Sequence, residues 1–185
     1  MKVLLEKGLL MGMDVYGVDP TTEDGAYFRR NVWGWRPLWT LVECIAEDVE
    51  FEAIADVSGH FNDGDGLGAI DAVTLGTILN ESVENGKAQI WIDLFNKQKE
   101  EAPLEDCTIC DATGIRRDQV GIESGWHEKA LEPEIAEEVG REFGSCNGCE
   151  GRGKKEAYMT WYSVDLDDVK EFANFVTHSG GFEIC

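Results

Sequence analysis

The chain has 185 residues, 43% of them hydrophobic, which suits one ordinary domain or a domain carrying a small module. Its 37 acidic residues outnumber 16 basic ones, and the net charge of −21 disfavours nucleic acid and anionic membranes as direct partners. No apolar run approaches the roughly 20 residues that cross a bilayer, and six cysteines are too few for a disulfide-stapled secreted domain.

Met1 to Leu10 carries a short apolar stretch that Glu6 and Gly8 interrupt, with no small-residue cleavage site after it. It reads as a first strand or an upstream extension rather than a signal peptide. Met11 to Pro37 is rich in glycine, aspartate and aromatics, with extended pieces such as Met13 to Tyr16 between turn signals. Inside it, F-R-R-N-V-W-G-W-R-P-L-W (28–39) gathers Arg29, Arg30, Trp33, Trp35 and Arg36. On an extended chain Trp33 and Trp35 point the same way and form a stacking platform between arginines, suited to a nucleotide or peptide. The competing reading is a tryptophan-rich mini-core leading into the first helix.

From Leu38 to about Val57, Leu38, Leu41, Val42, Ile45 and Val49 recur at helical spacing, while Glu43, Glu47, Asp48, Glu50 and Glu52 give the other face an acidic character. Cys44 falls in this stretch and is expected to be a buried core thiol. The loop Gly59 to Gly68 holds His60, Asn62, Asp63 and Asp65. It reads as a helix-capping turn or, in an enzyme, as a site with His60 as general base near Asp63 and Asp14. It lacks the acidic spacing of a calcium loop.

A second helix is predicted from Leu67 or Gly68 to Val83, with Ile70, Val73, Leu75, Ile78 and Leu79 inside, ending at Asn85-Gly86. A third runs from Ala88 to about Glu101 with Ile90, Trp91, Leu94 and Phe95. Residues 102–156 are poor in large aliphatics and read as an insertion, with helical spacing over Trp126 to Phe143 and a break or helix start at Pro133. Ala157 to Ser163 is aromatic and β-prone, predicting a strand. Asp165 to His178 is a last helix with Leu166, Val169, Phe172, Phe175 and Val176 on one side, and Phe182 to Cys185 is a short tail.

The expected architecture is α+β: a mostly helical body with a small sheet (1–102 plus 157–185) and an inserted four-cysteine zinc-binding module (103–156). Between residues 103 and 157 lie 13 acids and 7 bases, a net −6, so the remainder carries −15.

The module's chemistry rests on two C-x-x-C pairs, Cys107 with Cys110 and Cys146 with Cys149, separated by 35 residues. Each turn brings two sulfurs to one edge of a tetrahedron, and the glycines that follow leave amide N–H groups free to point at sulfur. Four thiolates close the coordination shell, so the expected metal is one structural zinc ion with no open catalytic position. Arg116, Arg117, Arg152, Lys154 and Lys155 surround the pairs. That basic rim is a possible nucleic-acid contact, an electrostatic partner for an acidic surface, or a solvated edge. No Ser-His-Asp signature, phosphate-binding glycine loop or H-E-x-x-H motif is present.

Two resemblances add to this. Each knuckle resembles the C-x-x-C-x-G-x-G repeat of the DnaJ chaperone's cysteine-rich region, fully in the second and with Ala112 for the first glycine in the first. DnaJ has four such repeats, so only the local knuckle carries over. Over nearly the whole chain from Gly12, the motifs G-M-D-V-Y-G (12–17), Y-F-R-x-N-V-W-x-W-R-P-L-W (27–39), N-D-G-D-G-L (62–67), C-N-G-C (146–149) and S-G-G-F-E-I-C (179–185) resemble a family of short bacteriophage and prophage proteins with no assigned activity. Members begin near Met11 or Met13. The resemblance implies a phage accessory protein in the host bacterial cytoplasm, and the charge adds an expected partner, a host protein with a basic surface. Inhibition of a CRISPR complex, nuclease or other nucleic-acid-binding host protein, in part by DNA mimicry, is the expected function. The alternatives are a small enzyme acting on a nucleotide or nucleic acid, and nucleic-acid binding through the zinc module.

Overall fold

Asn31 divides the tryptophan-rich segment into two elements. The computed structural model, which describes residues 12–185, places strand β2 (Tyr27–Asn31) before it and helix α1 (Val32–Asp48) after it. The Asn31 side chain caps α1 by accepting the Gly34 N–H at 2.9 Å. The helix therefore starts six residues before Leu38, and it ends at Asp48 rather than Val57. Glu50 takes a left-handed conformation (φ 57°) there, and the Phe51 N–H returns to the Ala46 carbonyl.

Pro37 sits inside α1 without breaking it. Its missing N–H would have bonded the Trp33 carbonyl, and the Ser163 N–H takes that place at 3.2 Å. On a helix, Trp33 and Trp35 no longer share a side. Trp35 is wholly buried, stacks on Trp39 at 5.5 Å and donates its indole N–H to the Gly59 carbonyl. Trp33 packs on Trp161 and Tyr162. The extended stacking platform is thus absent, and the segment forms the aromatic mini-core.

A four-stranded antiparallel sheet has the order β2-β1-β6-β3, with β1 at Gly12–Gly17, β3 at Gly66–Gly68 and β6 at Gly181–Ile184. Met13 and Val15 alternate inward on β1, and Phe182 and Ile184 do so on β6. The segment expected to be a tail is therefore an interior strand. Ala157 to Ser163, expected as a strand, instead contains a 3-10 turn at Tyr158–Trp161, with Thr160 bonding back to the Ala157 carbonyl.

Helices α1, α2 (Ala69–Glu84) and α6 (Leu166–His178) supply most of the core beside the sheet. The Asp165 and Asp168 side chains form a reciprocal capping box on α6. On α2 the buried stripe is Ala72, Leu75, Gly76, Leu79 and Ser82, whereas Ile70 is 83% exposed and Val73 is also exposed. The helix turns its smallest residues inward because α6 lies close. A Cβ on Gly76 would stand 2.1 Å from Thr177 Oγ1. Helix α3 (Lys87–Glu100) buries Ala88 and Ile92 and leaves Ile90 and Leu94 exposed. Cys44 lies on the outer side of α1 and is exposed, which corrects its expected burial.

The chain separates into two compact units. One ends at Gln98 and resumes at Trp161–Cys185, and the other is Lys99–Thr160. The second contains β4 (Glu105–Asp106) paired with β5 (Lys154–Lys155), and short helices α4 (Gln119–Glu123) and α5 (Pro133–Val139). Pro133 opens α5, and Trp126–Glu128 is a separate 3-10 turn, so the expected Trp126 to Phe143 helix is broken in two. The fold is α+β, a helical body with a small sheet and a module in which four cysteines cluster. Among the described residues no helix is long and apolar enough to cross a membrane. The expected strand or extension at Met1 to Leu10 lies outside the described residues.

Candidate metal centre

Both C-x-x-C segments fold into the same turn. The Cys110 N–H reaches the Cys107 carbonyl and the Cys149 N–H reaches the Cys146 carbonyl, each at 3.3 Å. Asp111, Ala112 and Glu150 take left-handed conformations, with φ of 50°, 60° and 55°. At Ala112, where the second turn has Gly151, this conformation costs about 1 kcal/mol. The two turns pack against each other through their glycines. A Cβ on Gly114 would lie 2.1 Å from the Gly151 carbonyl oxygen, and one on Gly153 would lie 2.2 Å from that of Ala112.

This packing converges all four sulfurs to within 4.8 Å of one another, all buried. Cys107 Sγ lies 3.9 Å from Cys146 Sγ, and Cys110 Sγ lies 3.7 Å from Cys149 Sγ. These separations belong to thiols rather than disulfides. Backbone N–H groups of Gly114, Gly148 and Gly153 point at the sulfurs of Cys110, Cys146 and Cys149 at 3.2–3.4 Å. Such donors stabilise negative charge on sulfur. Burial opposes it, pushing the Cys110 thiol up to about 12 and the Cys146 thiol upward as well. Four ionised sulfurs fit this space only with a cation among them, so the cluster could hold a metal ion.

The unit has little else to hold it. Apart from the cysteines, its buried hydrophobic residues are Ile135 and Ala157, and the cysteines form a cluster by themselves. A metal bound here supplies folding free energy directly.

The basic rim is largely committed within the unit. Arg116 bonds both Asp118 oxygens at 2.8 and 2.9 Å and Asn147 at 2.8 Å. Asp118 also caps α4 through the Gly121 N–H. Arg152 pairs with Glu138 and Glu150, and Lys154 with Asp106. Hydrogen bonding to Arg116 and to the Gly121 amide holds the Asp118 carboxyl below the usual carboxylate range.

The remaining candidate residues divide among three places. Arg29 pairs with Asp14 across β1 and β2, and Asp14 also accepts the Tyr27 hydroxyl. Arg30 pairs with Asp168 and Glu171 of α6 at 2.6 and 2.5 Å, which fastens the sheet edge to that helix. Arg36 and His60 line one cleft of the body. Asn62 and Asp63 are exposed, and Asp63 accepts the Asp65 N–H at 3.4 Å. His60 pairs with Glu43 at 3.5 Å, and Glu43 also accepts the Trp39 indole N–H at 2.8 Å. Helix α2 takes its N-cap from Gly68 without a side-chain bond, so the 60–66 loop does not cap it. Asp65 instead accepts the Ser58 N–H. Sequence reasoning missed Glu43 as the partner of His60. The Trp39–Glu43 spacing of four on a helix was the available signal for half of that arrangement.

The fold is α+β, and its buried four-cysteine cluster could hold a metal ion. No model of a known protein family, no curated protein and no solved structure matches the chain.

Proposed function

We propose that the protein is a phage-encoded accessory protein of the host bacterial cytoplasm, that its cysteines hold one structural zinc ion, and that it acts by binding a host protein with a basic surface. A zinc–sulfur distance of about 2.3 Å gives a tetrahedron edge of about 3.8 Å. The sulfur separations of 3.7 and 3.9 Å fit that edge. Four thiolates leave no open position, so the ion's role is to hold the smaller unit's shape.

The observation that carries the binding reading is an open groove of about 740 Å³ beside the end of α1, lined by Glu43, Glu47, Glu50, Phe51, Glu52, Ile54 and Ala55. It contains no lysine or arginine, and Glu47, Glu50 and Glu52 form no ion pair among the described residues. Unneutralised carboxylates along an apolar floor attract a cationic side chain and give its aliphatic stem a surface to lie on. Nucleic-acid-binding host proteins, including nucleases and CRISPR complexes, present such cations in their channels, and carboxylates in the place of phosphates inhibit them.

The test is affinity capture from host lysate. A basic partner is expected at low salt, released at about 0.5 M salt and lost in a Glu47→Lys, Glu52→Lys variant. Recovery of no partner at low salt, or capture indifferent to those substitutions, removes the reading.

A further inference from the structure

A second concavity on the body carries the opposite chemistry. A cleft of about 590 Å³ is lined in part by Arg36, His60, Phe61, Trp91, Phe95 and Tyr162. Its volume is that of a small-molecule site, as is its mixture of aromatic walls and few polar groups. We infer that this cleft binds a small planar aromatic molecule bearing one anionic group, the ring against the aromatic side chains and the anion on Arg36.

Three observations carry this. Arg36 differs from the other arginines of the body: Arg29 pairs with Asp14, and Arg30 with Asp168 and Glu171. Arg36 has no carboxylate within 4.0 Å among the described residues and donates to the Tyr162 hydroxyl at 3.2 Å. Its guanidinium therefore keeps donors free for an oxyanion. Trp91 and Phe95, one turn apart on α3, stack with planes 14° apart and centroids 5.3 Å apart, making a flat ledge. Phe61 is 67% exposed at the same cleft, so the core does not account for its ring.

Charge also sets the ligand's size. Each phosphate of a long polyanion meets the field of a body carrying −15, whereas a ligand with a single anionic group places that group on the guanidinium. The required chemistry has two sources, a nucleoside monophosphate and an aryl carboxylate.

The proposal is independent of the host-protein reading and is tested without a partner. The full-length, metal-loaded, isotope-labelled protein is titrated separately with adenosine monophosphate, indole-3-acetate, adenosine and a decathymidine oligonucleotide while amide shifts are followed. Saturable shifts at Arg36, His60, Phe61 and Trp91 are expected with one or both small anions. Saturation with only one of them identifies the source. Arg36→Gln weakens that binding about tenfold. Phe61→Ala also weakens it, and both exposed substitutions leave shifts elsewhere unchanged. The inference is overturned if neither anion saturates at about 10 mM. It is equally overturned if Arg36→Gln leaves affinity intact, if adenosine binds as tightly as its monophosphate, or if the oligonucleotide is preferred.

Discussion

The Ser163 N–H donates to the Trp33 carbonyl at 3.2 Å, occupying the acceptor that Pro37 deprives of its helical partner. A proline in the second turn of α1 is thereby accommodated by a residue 126 positions beyond it in sequence. Replacing Ser163 by proline removes the donor, and a loss of about 1–3 kcal/mol is expected in urea denaturation. Ser163→Ala keeps the N–H and is expected to cost little.

The sulfur cluster predicts thiol reactivity by position. Cys44 and Cys185 are exposed, and the other four cysteines are buried in one cluster. With metal bound, a chromogenic thiol reagent should titrate two thiols rapidly, and all six once a strong chelator is added. Rapid reaction of all six in metal-loaded protein would show that the sulfurs hold no ion.

Elemental analysis of protein purified without added metal should find zinc near one equivalent per chain. Cys110→Ser should lose it. The amide spectrum of residues 99–160 should then collapse toward unfolded positions while that of the body persists, because the body has its own aromatic and aliphatic core.

Metal uptake must also release protons. In the metal-free protein the Cys110 thiol, pushed by burial up to about 12, is protonated at neutral pH, whereas the ligand is the thiolate. Affinity therefore falls as pH falls, and zinc added in weak buffer at pH 7 should acidify the solution measurably.

Gly76 predicts a packing defect. Alanine there places a Cβ 2.1 Å from Thr177 Oγ1 and is expected to cost about 1–3 kcal/mol. Adding Thr177→Ala should recover part of the loss, which a double-mutant cycle would read.

The cysteine site was legible because its information is local: two short turns and their glycines encode the ligand geometry. The α6 helix was equally plain, since Val169, Phe172, Phe175 and Val176 mark one stripe and Asp165 caps it. The sheet was harder to see. Phe182 and Ile184 alternate over a strand of four residues, too short a pattern to separate from a tail, and the partners of that strand lie far away in sequence. The orientation of α2 failed for another reason. Hydrophobicity ranks Ile70 and Val73 above Ala72 and Gly76, but closeness to α6 favours the small residues. Of the two readings of the tryptophan segment the mini-core is the correct one, but the early start of α1 at Val32 was not legible, because nothing nearby announced that Ser163 would supply the donor Pro37 lacks.

The placement of β6 between β1 and β3 has a consequence for biosynthesis. While the chain is being translated, the body lacks an inner strand until residues 181–184 emerge from the ribosome, so its sheet closes late. Residues 99–160 emerge sooner and contain every ligand of their own ion. The smaller unit can therefore load metal and take shape on the nascent chain before its host does.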